Sequence, residues 1–595
     1  MRISRVKRSA CDIREMNDFV NRICGIISML YRWIFIFLLF VMILLFLVCA
    51  HKVAPGGGPA DKTPPEILRH FPAADSVGIK NLEYLEIEFS EPIRQSTLLE
   101  NYWMMPPLEN DFTIKWKGNQ KVRFYITDSL ESNQTYVFTL SPNVRDMRNN
   151  GLIKPFQIAF STGSRLDRGS ISGQVYADQK PRDVYIYAYR IVAETGLDSL
   201  IYTEPRYYTQ IDANGAYRLS YLALEKYRLI ALVDQDYNKV YSVESDLIGL
   251  PAMDIQLDSL HAHFANINFY LLQEDTTRPL IRKIDTLSNR HIEITFSEKV
   301  VPDSAFRITL SDSLSGDTLL PLATSFAEEN GDLLQIYFSE LSAAKKISLQ
   351  LQGITDLAGN QSPERELKGT FFAPGGADTA TPKLLEIVPS FGQTEVLFDS
   401  PIISKFSVPV DSDSYRKSLL LTDQDSSVVT GRFNFQNLLK PVFKPQVWLK
   451  SNAKYHLRLT LSSLTDLWQR SFLDTVIIQE FTTQDLANLG EMAGQVTSPY
   501  HGPVQAIVEV NPLRGNQVYQ AITSGDQTYQ LEYLPEGNFL VKSILDLNRN
   551  GQWDKGAAMS WEFSEPFFFR PDTVKIRKRW TTQGIIFDFN FQETE

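Results

Sequence analysis

The residues best suited to metal chemistry lie near the C-terminus, in the segment DLNRNGQWD at positions 546–554. A calcium loop takes side-chain oxygens at positions 1, 3, 5 and 9 and a glycine at position 6. Gly551 fills the glycine position, and the four oxygen positions are Asp546, Asn548, Asn550 and Asp554. Position 12, which should carry a bidentate carboxylate, is Ala557. Two interpretations follow, a calcium site and an Asx-rich hairpin turn, and the missing carboxylate favours the turn.

Other groupings of reactive side chains have a simpler explanation. His261 and His263 are spaced as metal ligands on one side of a strand would be, but no third ligand is near, so we expect a surface pair. The pairs Ser90-Glu91 and Ser297-Glu298 recur at strand ends, which indicates a role in the fold. Motifs of serine hydrolases, zinc peptidases and nucleotide-binding loops are missing from the sequence. We therefore predict no catalytic residues, no enzyme activity and no cofactor apart from the calcium candidate.

Charge and cysteine placement narrow the classes of function. The net charge of −11 and the pI of about 5.4 argue against a nucleic-acid partner, because phosphate binding needs clustered Lys and Arg. The cysteines Cys11, Cys24 and Cys49 all precede residue 50, so the remaining chain has neither disulfides nor thiolate metal sites. A chain of 595 residues exceeds one hydrophobic core. At roughly 100–200 residues per domain, we expect about three to six domains.

The N-terminal region predicts attachment to a membrane. Trp33–Ala50 is an uninterrupted apolar run, near the minimum length for a membrane span and longer than most secretion-signal cores. Three interpretations compete: a retained transmembrane anchor, a cleaved signal peptide, and a lipoprotein signal cut before Cys49. A buried soluble helix is disfavoured because the run has no polar face. Translation from Met29 would give a signal of ordinary length and would leave residues 1–28 untranslated.

A single cysteine at the end of the apolar run favours the lipoprotein interpretation. Residues 49–62 form a flexible tether of the kind that separates folded domains from a bilayer. The junction resembles the lipobox of bacterial lipoproteins, which implies a signal at 1–48 and a lipid on Cys49. With Ala50 as the next residue, the resemblance implies the outer membrane of a Gram-negative bacterium, on either face. Val48 and Phe46 depart from the family's preferences, so a retained helix stays open.

Three segments share one order of short strands. Each opens with an Asp-to-Pro segment, at 61–65, 275–279 and 378–382. A strand of alternating hydrophobic residues follows, which puts one face on a core and the other in water. These strands end in FSEP at 89–92, FSE at 296–298 and FDSP at 398–401. A later turn rich in Asp, Asn and Gly begins at Asp146, Asp356 and Asp466.

This pattern resembles bacterial Ig-like domains of the S-layer-protein type, which implies antiparallel sandwiches that act as spacers or binding modules. The resemblance covers 63–165, 275–375 and 378–486. Two further segments, 169–273 and 490–592, match each other, because GSISGQV at 169–175 pairs with GEMAGQV at 490–496 and DANGAY at 212–217 with SGDQTY at 524–529. These two resemble the carboxypeptidase regulatory-like, or transthyretin-like, β-sandwich.

The predicted fold is all-β, a tandem array of about five antiparallel β-sandwich domains after an N-terminal apolar helix. In chain order they are module 1 (63–165), module 2 (169–273), module 3 (275–375), module 4 (378–486) and module 5 (490–592). We expect a non-catalytic, membrane-anchored envelope lipoprotein that presents these modules to a protein or polysaccharide, or serves as a scaffold. Two alternatives stay open: an enzyme or enzyme accessory with a site between modules, and a purely structural spacer.

Overall fold

The computed structural model describes residues 61–592 apart from 181, 193–196, 328–330, 344, 364–366, 377, 474, 501–503 and 516, together with residues 25, 29, 32–33 and 36–39. Met1–Pro64 and Pro65–Glu595 form two compact units. Within the described part, no helix is both long and apolar enough to cross a membrane. Cys49 and nearly all of the tether lie outside the described residues, so the lipid attachment stays a prediction.

Module 1 is a sandwich of two antiparallel sheets. Its strands are β1 (Ile67–Phe71), β2 (Tyr84–Phe89), β3 (Tyr102–Met105), β4 (Thr113–Lys117), β5 (Lys121–Tyr125), β6 (Thr135–Leu140) and β7 (Phe156–Ser161), with a short helix α1 (Gln95–Leu98). The sheet orders are β1-β2-β5-β4 and β3-β6-β7. Leu85, Ile87 and Phe89 on β2 are at most 1% exposed, which confirms the core face predicted from their alternation.

Module 2 also has two sheets. Its strands are β8 (Gly169–Tyr176), β9 (Tyr185–Arg190), β10 (Tyr207–Gln210), β11 (Ala216–Leu222), β12 (Lys226–Val233), β13 (Leu247–Gly249), β14 (Ile255–Gln256), β15 (His263–Phe264) and β16 (Phe269–Tyr270), with a 3₁₀ helix at Leu197–Tyr202. The sheet orders are β11-β8-β15, with β16 also on β8, and β10-β9-β12-β13, with β14 also on β12. β15 and β16 run parallel to β8.

Modules 3 and 4 repeat the plan of module 1. Module 3 contains β17 (Ile281–Ser288), β18 (His291–Phe296), β19 (Val300–Asp312), β20 (Thr318–Leu319), β21 (Ala323–Phe326), β22 (Leu333–Tyr337), β23 (Lys346–Asp356) and β24 (Lys368–Phe372). Module 4 contains β25 (Leu384–Val388), β26 (Ile402–Phe406), β27 (Leu419–Asp423), β28 (Gly431–Asn434), β29 (Val442–Pro445), β30 (Lys454–Thr460) and β31 (Val476–Thr482), with α2 (Ser412–Ser418) and 3₁₀ helices at Leu461–Ser463 and Leu486–Asn488. The first sheets are β17-β18-β22-β21 and β25-β26-β29-β28, in the order of module 1.

Module 5 has the strand pairing of module 2. Its strands are β32 (Leu489–Thr497), β33 (Gln505–Pro512), β34 (Tyr519–Ile522), β35 (Thr528–Pro535), β36 (Gly537–Asp546), β37 (Phe567–Phe569), β38 (Val574–Ile576) and β39 (Thr581–Asp588). The sheet orders are β35-β32-β39 and β34-β33-β36-β37, with β38 also on β36, and β39 runs parallel to β32. The prediction of an all-β chain of antiparallel sandwiches is thus confirmed.

The serine at the end of the second strand of modules 1, 3 and 4 fastens that strand to the first. Ser90 Oγ accepts from the Glu66 N–H at 2.9 Å, and Ser297 Oγ accepts from the Leu280 N–H at 2.8 Å. In module 4 the equivalent is Ser407, which accepts from the Lys383 N–H at 2.9 Å. The recurrence therefore belongs to the fold, as predicted.

The predicted strand end FDSP at 398–401 in module 4 is wrong. Those residues precede β26, and the strand ends at Phe406. Phe398 is buried for another reason, because its ring packs 5.4 Å from that of Tyr533 in module 5. Phe398 is therefore hydrophobic because it contacts module 5, and its place before Asp-Ser-Pro only resembles the end of a strand.

The recurrent turns are built around buried aspartates. Asp146, Asp356 and Asp466 are at most 4% exposed. Each carboxylate accepts the N–H four residues on: from Asn150 at 2.8 Å, from Asn360 at 2.7 Å and from Arg470 at 2.8 Å. Buried carboxylates need such donors, and the Asx turn supplies them locally. The predicted turns are therefore confirmed.

Module 1 is joined to module 2 by packed side chains. Trp103 of module 1 stacks on Tyr208 of module 2 with ring centroids 5.2 Å apart, and its Nε1 donates to the Tyr208 carbonyl at 3.3 Å. Trp103 and Met105 belong to the same continuous buried cluster as the core of module 2. Because a shared core removes apolar area from water, the two modules form one body.

Modules 2 and 5 pack against each other although modules 3 and 4 lie between them in the chain. Ala558 and Trp561 of module 5 pack on a cluster in module 2 that contains Ile230 and Leu232. Two tyrosines of module 2, Tyr176 and Tyr270, pack on a cluster in module 5. That cluster consists of Ile507, Ile544 and Phe567, and Trp553 and Phe569 of module 5 pack against it as well. The Ala265 N–H also donates to the Phe591 carbonyl at 2.8 Å. The chain therefore returns to module 2 at its C-terminus.

Modules 3 and 4 are also in contact, as are modules 4 and 5. Trp468 Nε1 of module 4 donates to the Phe338 carbonyl of module 3 at 2.8 Å. Tyr533 of module 5 packs between Phe398 and Trp448 of module 4, with centroids 5.4 and 5.3 Å away. Modules 2 and 3 are consecutive in the chain, so these interfaces and the contact between modules 2 and 5 connect modules 2 to 5 in a closed ring.

Candidate functional site

The segment that the sequence identified as a calcium candidate follows β36 in module 5, and the structure contains a second copy of it in module 2. Asp546 ends β36, and Asp234 directly follows β12, the equivalent strand. The Asn550 N–H donates to Asp546 Oδ1 at 3.1 Å, and the Asn238 N–H donates to Asp234 Oδ1 at 3.2 Å. We call residues 546–554 and 234–242 the Asx loops of modules 5 and 2.

The position that a calcium loop gives to glycine has the same backbone form in both Asx loops. Gly551 has a φ of 76° and Lys239 a φ of 63°. Each N–H at this position donates to the second oxygen of the first aspartate, at 2.9 Å in module 5 and 2.8 Å in module 2. Module 2 has Lys239 where module 5 has the glycine, yet its loop adopts the same conformation.

The structure supplies a carboxylate that sequence reasoning missed. Glu565 accepts from the Leu547 N–H at 2.7 Å and from the Asp554 N–H at 3.2 Å. In module 2, Asp246 does the same for the N–H groups of Gln235 and Ser242, at 3.0 and 2.9 Å. Glu565 lies beyond the twelve-residue window of a calcium loop, and its only signal is a glutamate just before the next strand.

Burial and mutual repulsion act on the carboxylates of both loops. Burial raises the pKa of Glu565, and the charges of Asp554 and Asp546 raise it further. Burial likewise raises the pKa of Asp234, with contributions from Asp236 and Asp246. Carboxylate oxygens so placed are the ligands that a hard cation prefers.

Two groups of described carboxylates converge closely enough to hold a cation. Oxygens of Asp234, Asp236 and Asp246 lie within 4.8 Å of one another, and so do those of a group in module 3, which is Asp275, Glu298 and Asp356. In the module 5 loop, the side-chain amides of Asn548 and Asn550 instead donate to Asp554 Oδ2, at 2.6 and 2.9 Å. That closed network suits the hairpin-turn interpretation, and calcium binding by Asp546, Asn548, Asn550 and Asp554 stays a prediction.

The two Asx loops differ in their surroundings. In module 5, the Trp553 ring packs 5.0 Å from that of Tyr270 in module 2, and Lys555 Nζ lies 4.2 Å from the same ring. Burial lowers the pKa of Lys555. In module 2, the loop lines a cleft of about 730 Å³ toward module 1, and its Tyr237 side chain is 84% exposed. One loop is therefore part of an interface and the other borders open space.

The histidines singled out in the sequence have separate partners. His261 Nδ1 lies 3.3 Å from Asp258 Oδ1, and His263 Nδ1 lies 2.9 Å from Ser170 Oγ. Neither converging carboxylate group of the described residues includes a histidine. His261 and His263 therefore contact different side chains, and their interpretation as a surface pair stays a prediction.

Two modules match a known domain family. The sequence model of the bacterial Ig-like domain matches residues 61–162 and 378–483. Modules 1 and 4 are therefore bacterial Ig-like domains, a class of module expected in a bacterial envelope or surface protein. The matched residues do not include module 3, whose Ig-like assignment rests on its strand order and its turn. No curated protein sequence matches the chain.

Solved structures align with the chain only weakly. An L,D-transpeptidase from Mycobacterium smegmatis is 11% identical over 35% of this chain and 91% of its own, with a TM-score of 0.17. The surface layer protein SbsC, domains 1–6, is 9% identical over 82% of this chain and 64% of its own, with a TM-score of 0.15. The alpha-2-macroglobulin of E. coli is 10% identical over 87% of this chain and 34% of its own, with a TM-score of 0.14. At these scores no shared overall architecture is established.

Proposed function

We propose that this chain is a non-catalytic cell-envelope protein, anchored at its N-terminus, whose modules form one rigid body that holds binding surfaces for a protein or a polysaccharide. The observation that carries the proposal is the return of module 5 to module 2, since Phe567 is 4% exposed and packs among the tyrosines of module 2. A linear string of sandwiches would leave that apolar area in water, which is unfavourable.

The anchoring part of the proposal rests on the N-terminal sequence. The apolar run to Ala50, the cysteine at position 49 and the Gly-Pro tether suit an outer-membrane lipoprotein of a Gram-negative bacterium. Modules 1 and 4, as bacterial Ig-like domains, suit the same compartment. The shared strand pairing of modules 2 and 5 supports their assignment as transthyretin-like domains. A rigid body keeps its binding surfaces in fixed relation to one another.

Membrane attachment can be tested with full-length protein and its Cys49→Ala variant. We expect the wild type in the membrane fraction with incorporated palmitate, and the variant without palmitate. A variant that stays membrane-bound without label would show a retained helix in place of the lipid. Wild-type protein in the soluble fraction without palmitate would contradict the anchoring.

The binding part needs a separate measurement. Tagged full-length protein is solubilised in detergent and its co-purifying proteins and glycans are identified, with a Phe567→Ala variant as the comparison. A partner held by the wild type and lost from the variant would show that binding depends on the closed arrangement. Equal recovery of the same partners by both proteins would contradict the rigid body as the binding unit.

A further inference from the structure

Three carboxylates converge where the chain enters module 3. One oxygen each of Asp275, Glu298 and Asp356 lies within 4.8 Å of the other two. Oxygen ligands on opposite sides of a calcium ion are about 4.6–5.2 Å apart, since each lies about 2.3–2.6 Å from the ion. The three side chains come from the segment before β17, from the residues after β18 and from the end of β23. The fold therefore assembles a group of the right size from three separate segments.

The three carboxylates disturb one another electrostatically. Asp356 is 4% exposed. Burial raises the pKa of Glu298, and the charges of Asp275 and Asp356 raise it further. Anions held this close repel one another unless a cation or a proton compensates them.

Module 4 shows how the same position is neutralised in a related frame. Asp378 opens module 4 as Asp275 opens module 3, and each accepts the N–H two residues on. The turn aspartates Asp356 and Asp466 also correspond. Arg470 Nη1 lies 2.9 Å from Asp378 Oδ2, and Arg470 Nε donates to Asp466 Oδ2 at 2.6 Å. In module 4, the two carboxylates that correspond to those of module 3 therefore hold a cationic group between them.

The residue that supplies this cation in module 4 is a neutral amide in module 3. The Asn360 N–H donates to Asp356 Oδ1 at 2.7 Å, as the Arg470 N–H donates to Asp466 Oδ1 at 2.8 Å. The Asn360 amide donates to Asp356 Oδ2 at 2.8 Å and to the Asp275 carbonyl at 2.7 Å. Asn360 thus holds the turn aspartate and the entering chain in place but brings no positive charge.

The third carboxylate is also particular to module 3 in this comparison. Glu298 follows Ser297, whose hydroxyl fastens β18 to the segment before β17. The corresponding serine of module 4, Ser407, is followed by Val408, which is 7% exposed. At these positions module 4 has two carboxylates with a guanidinium, and module 3 has three carboxylates with an amide.

We propose that Asp275, Glu298 and Asp356 bind a calcium ion where the chain enters module 3. Carboxylates are the ligands that calcium prefers, and its flexible coordination accepts six to eight oxygens. Water fills the remaining positions, because Asp275 is exposed. The ion does in module 3 what the Arg470 guanidinium does in module 4.

The position of the ion gives it a structural consequence. Glu274, the residue before Asp275, accepts from the Tyr241 hydroxyl of module 2 at 2.7 Å and from the Met559 N–H of module 5 at 3.3 Å. Calcium on Asp275 therefore ties module 3 to a point of the chain that modules 2 and 5 already hold. This inference goes beyond the proposed function and does not depend on membrane attachment.

The test is a calorimetric titration of the metal-free full-length protein in detergent with calcium and, separately, with magnesium. The key variant is Asn360→Arg, which gives module 3 the internal cation of module 4. Glu298→Gln is the second variant, since it removes one ligand charge with little change of shape. Asp285→Asn, on β17, is the control, because it removes a carboxylate of the same module outside the group. Thermal unfolding in a chelator checks that each variant is folded.

We expect saturable calcium binding by the wild type and by Asp285→Asn, and weaker binding of magnesium, which demands a stricter octahedral geometry. Affinity for one calcium ion should fall by about tenfold or more in Glu298→Gln, because a charged ligand is lost. Asn360→Arg should bind one calcium ion fewer than the wild type. Its melting temperature in the chelator should be no lower than that of the wild type, because the guanidinium compensates the carboxylates.

Three results would overturn the proposal. The first is no binding of calcium by the wild type at millimolar concentration. The second is the same number of ions, bound with the same affinity, by the wild type and Glu298→Gln, because the ion would then lie elsewhere, for example in an Asx loop. The third is calcium binding by Arg365→Gln and not by the wild type, which would make Arg365, outside the described residues, the counter-charge in place of a metal.

Discussion

Modules 2 and 5 share a strand order, an Asx loop and an aligned trio of polar side chains, but the two modules use these features differently. By strand register, the trio is Glu491, Gln530 and Thr581 in module 5 and Ser170, Arg218 and His263 in module 2. The trio of module 5 contains its own carboxylate, Glu491, whereas the trio of module 2 has Ser170 there and an arginine beside it. The loop of module 5 is covered by another module, module 2, whereas the loop of module 2 borders open space.

The difference shows that two copies of a duplicated module can keep the same fold while their exposed side chains make different contacts. Strand pairing and the loop's backbone bonds are satisfied locally, so both copies keep them. The groups that face a neighbour depend on which neighbour is present: Tyr221 meets Asp75 of module 1, and the corresponding Tyr533 meets Phe398 and Trp448 of module 4.

The largest effect is expected from Phe567→Ala, which opens the interface between modules 5 and 2. The Phe567 ring lies 4.8 Å from that of Trp553 and 5.7 Å from that of Tyr176. Truncating a buried phenylalanine should lower the free energy of unfolding by about 3–5 kcal/mol. Urea unfolding of the full-length protein, followed by tryptophan fluorescence, measures it.

The control for this change is Phe391→Ala, because Phe391 is 75% exposed. Its free energy of unfolding should stay within about 0.5 kcal/mol of the wild type. Equal effects of the two substitutions would mean that modules 2 and 5 do not pack together in solution.

The next effect concerns a buried ion pair of module 2. Arg228 is 3% exposed, donates to both oxygens of Asp254 at 2.8 Å, and lies 4.1 Å from the Trp561 ring of module 5. Arg228→Ala should cost about 3 kcal/mol or more, because it leaves the Asp254 carboxylate without its counter-charge. Urea unfolding measures the loss.

Module 5 offers the matched position for this prediction. Leu540 aligns with Arg228 and is 47% exposed. Leu540→Ala should therefore change the free energy of unfolding by less than about 1 kcal/mol. A loss as large as that of Arg228→Ala would show that the position matters for strand stability and that the ion pair does not.

A smaller effect, on pH dependence, is expected from Glu565→Gln. Because the pKa of Glu565 is raised in the folded protein from its ordinary 4.5, the folded state binds its proton more tightly than the unfolded state does. The wild type should therefore lose stability relative to the variant as pH rises from about 4.5 through the raised pKa. The loss is about 1.4 kcal/mol for each tenfold difference in proton affinity.

Unfolding curves of both proteins from pH 4 to 8, in a chelator, measure this difference. Glu536→Gln, at an exposed position, is the control for the substitution itself. Parallel stability curves for wild type and Glu565→Gln would contradict the predicted direction. Repeating the series in millimolar calcium tests the cation interpretation of this loop: a stabilisation lost in Glu565→Gln supports a site there, and an equal response of both proteins supports the hairpin turn.

The smallest effect is expected from exchanging one residue between the Asx loops. Gly551→Lys puts a side chain at a φ of 76°, in the left-handed region, and should cost about 1–2 kcal/mol. Lys239→Gly relieves the same strain but gives the unfolded chain more freedom, so its gain should be below about 1 kcal/mol. Thermal unfolding measures both, and a stabilising Gly551→Lys would refute the shared loop conformation.

Local pattern was sufficient for much of this fold. The alternation of Leu85, Ile87 and Phe89 predicted a core face, and the aspartates at 146, 356 and 466 predicted turns, because both effects are decided within a few residues. The pairing of modules 2 and 5 was visible as well, since glycines and turn residues recur in order. The predicted strand end at 398–401 was wrong because Phe398 is hydrophobic for its contact with Tyr533 of module 5, which the local sequence does not show.

The candidate site likewise combines features that the local sequence determines with features that only the tertiary structure determines. Sequence alone determined that Asp546, Asn548, Asn550 and Asp554 form one loop, because their spacing sets local hydrogen bonds. Only the tertiary structure brought Glu565 to that loop and Glu298 to Asp356, because these side chains come from segments far apart in the chain. The packing of module 5 on module 2 was likewise decided in three dimensions, where apolar faces distant in sequence are buried against each other.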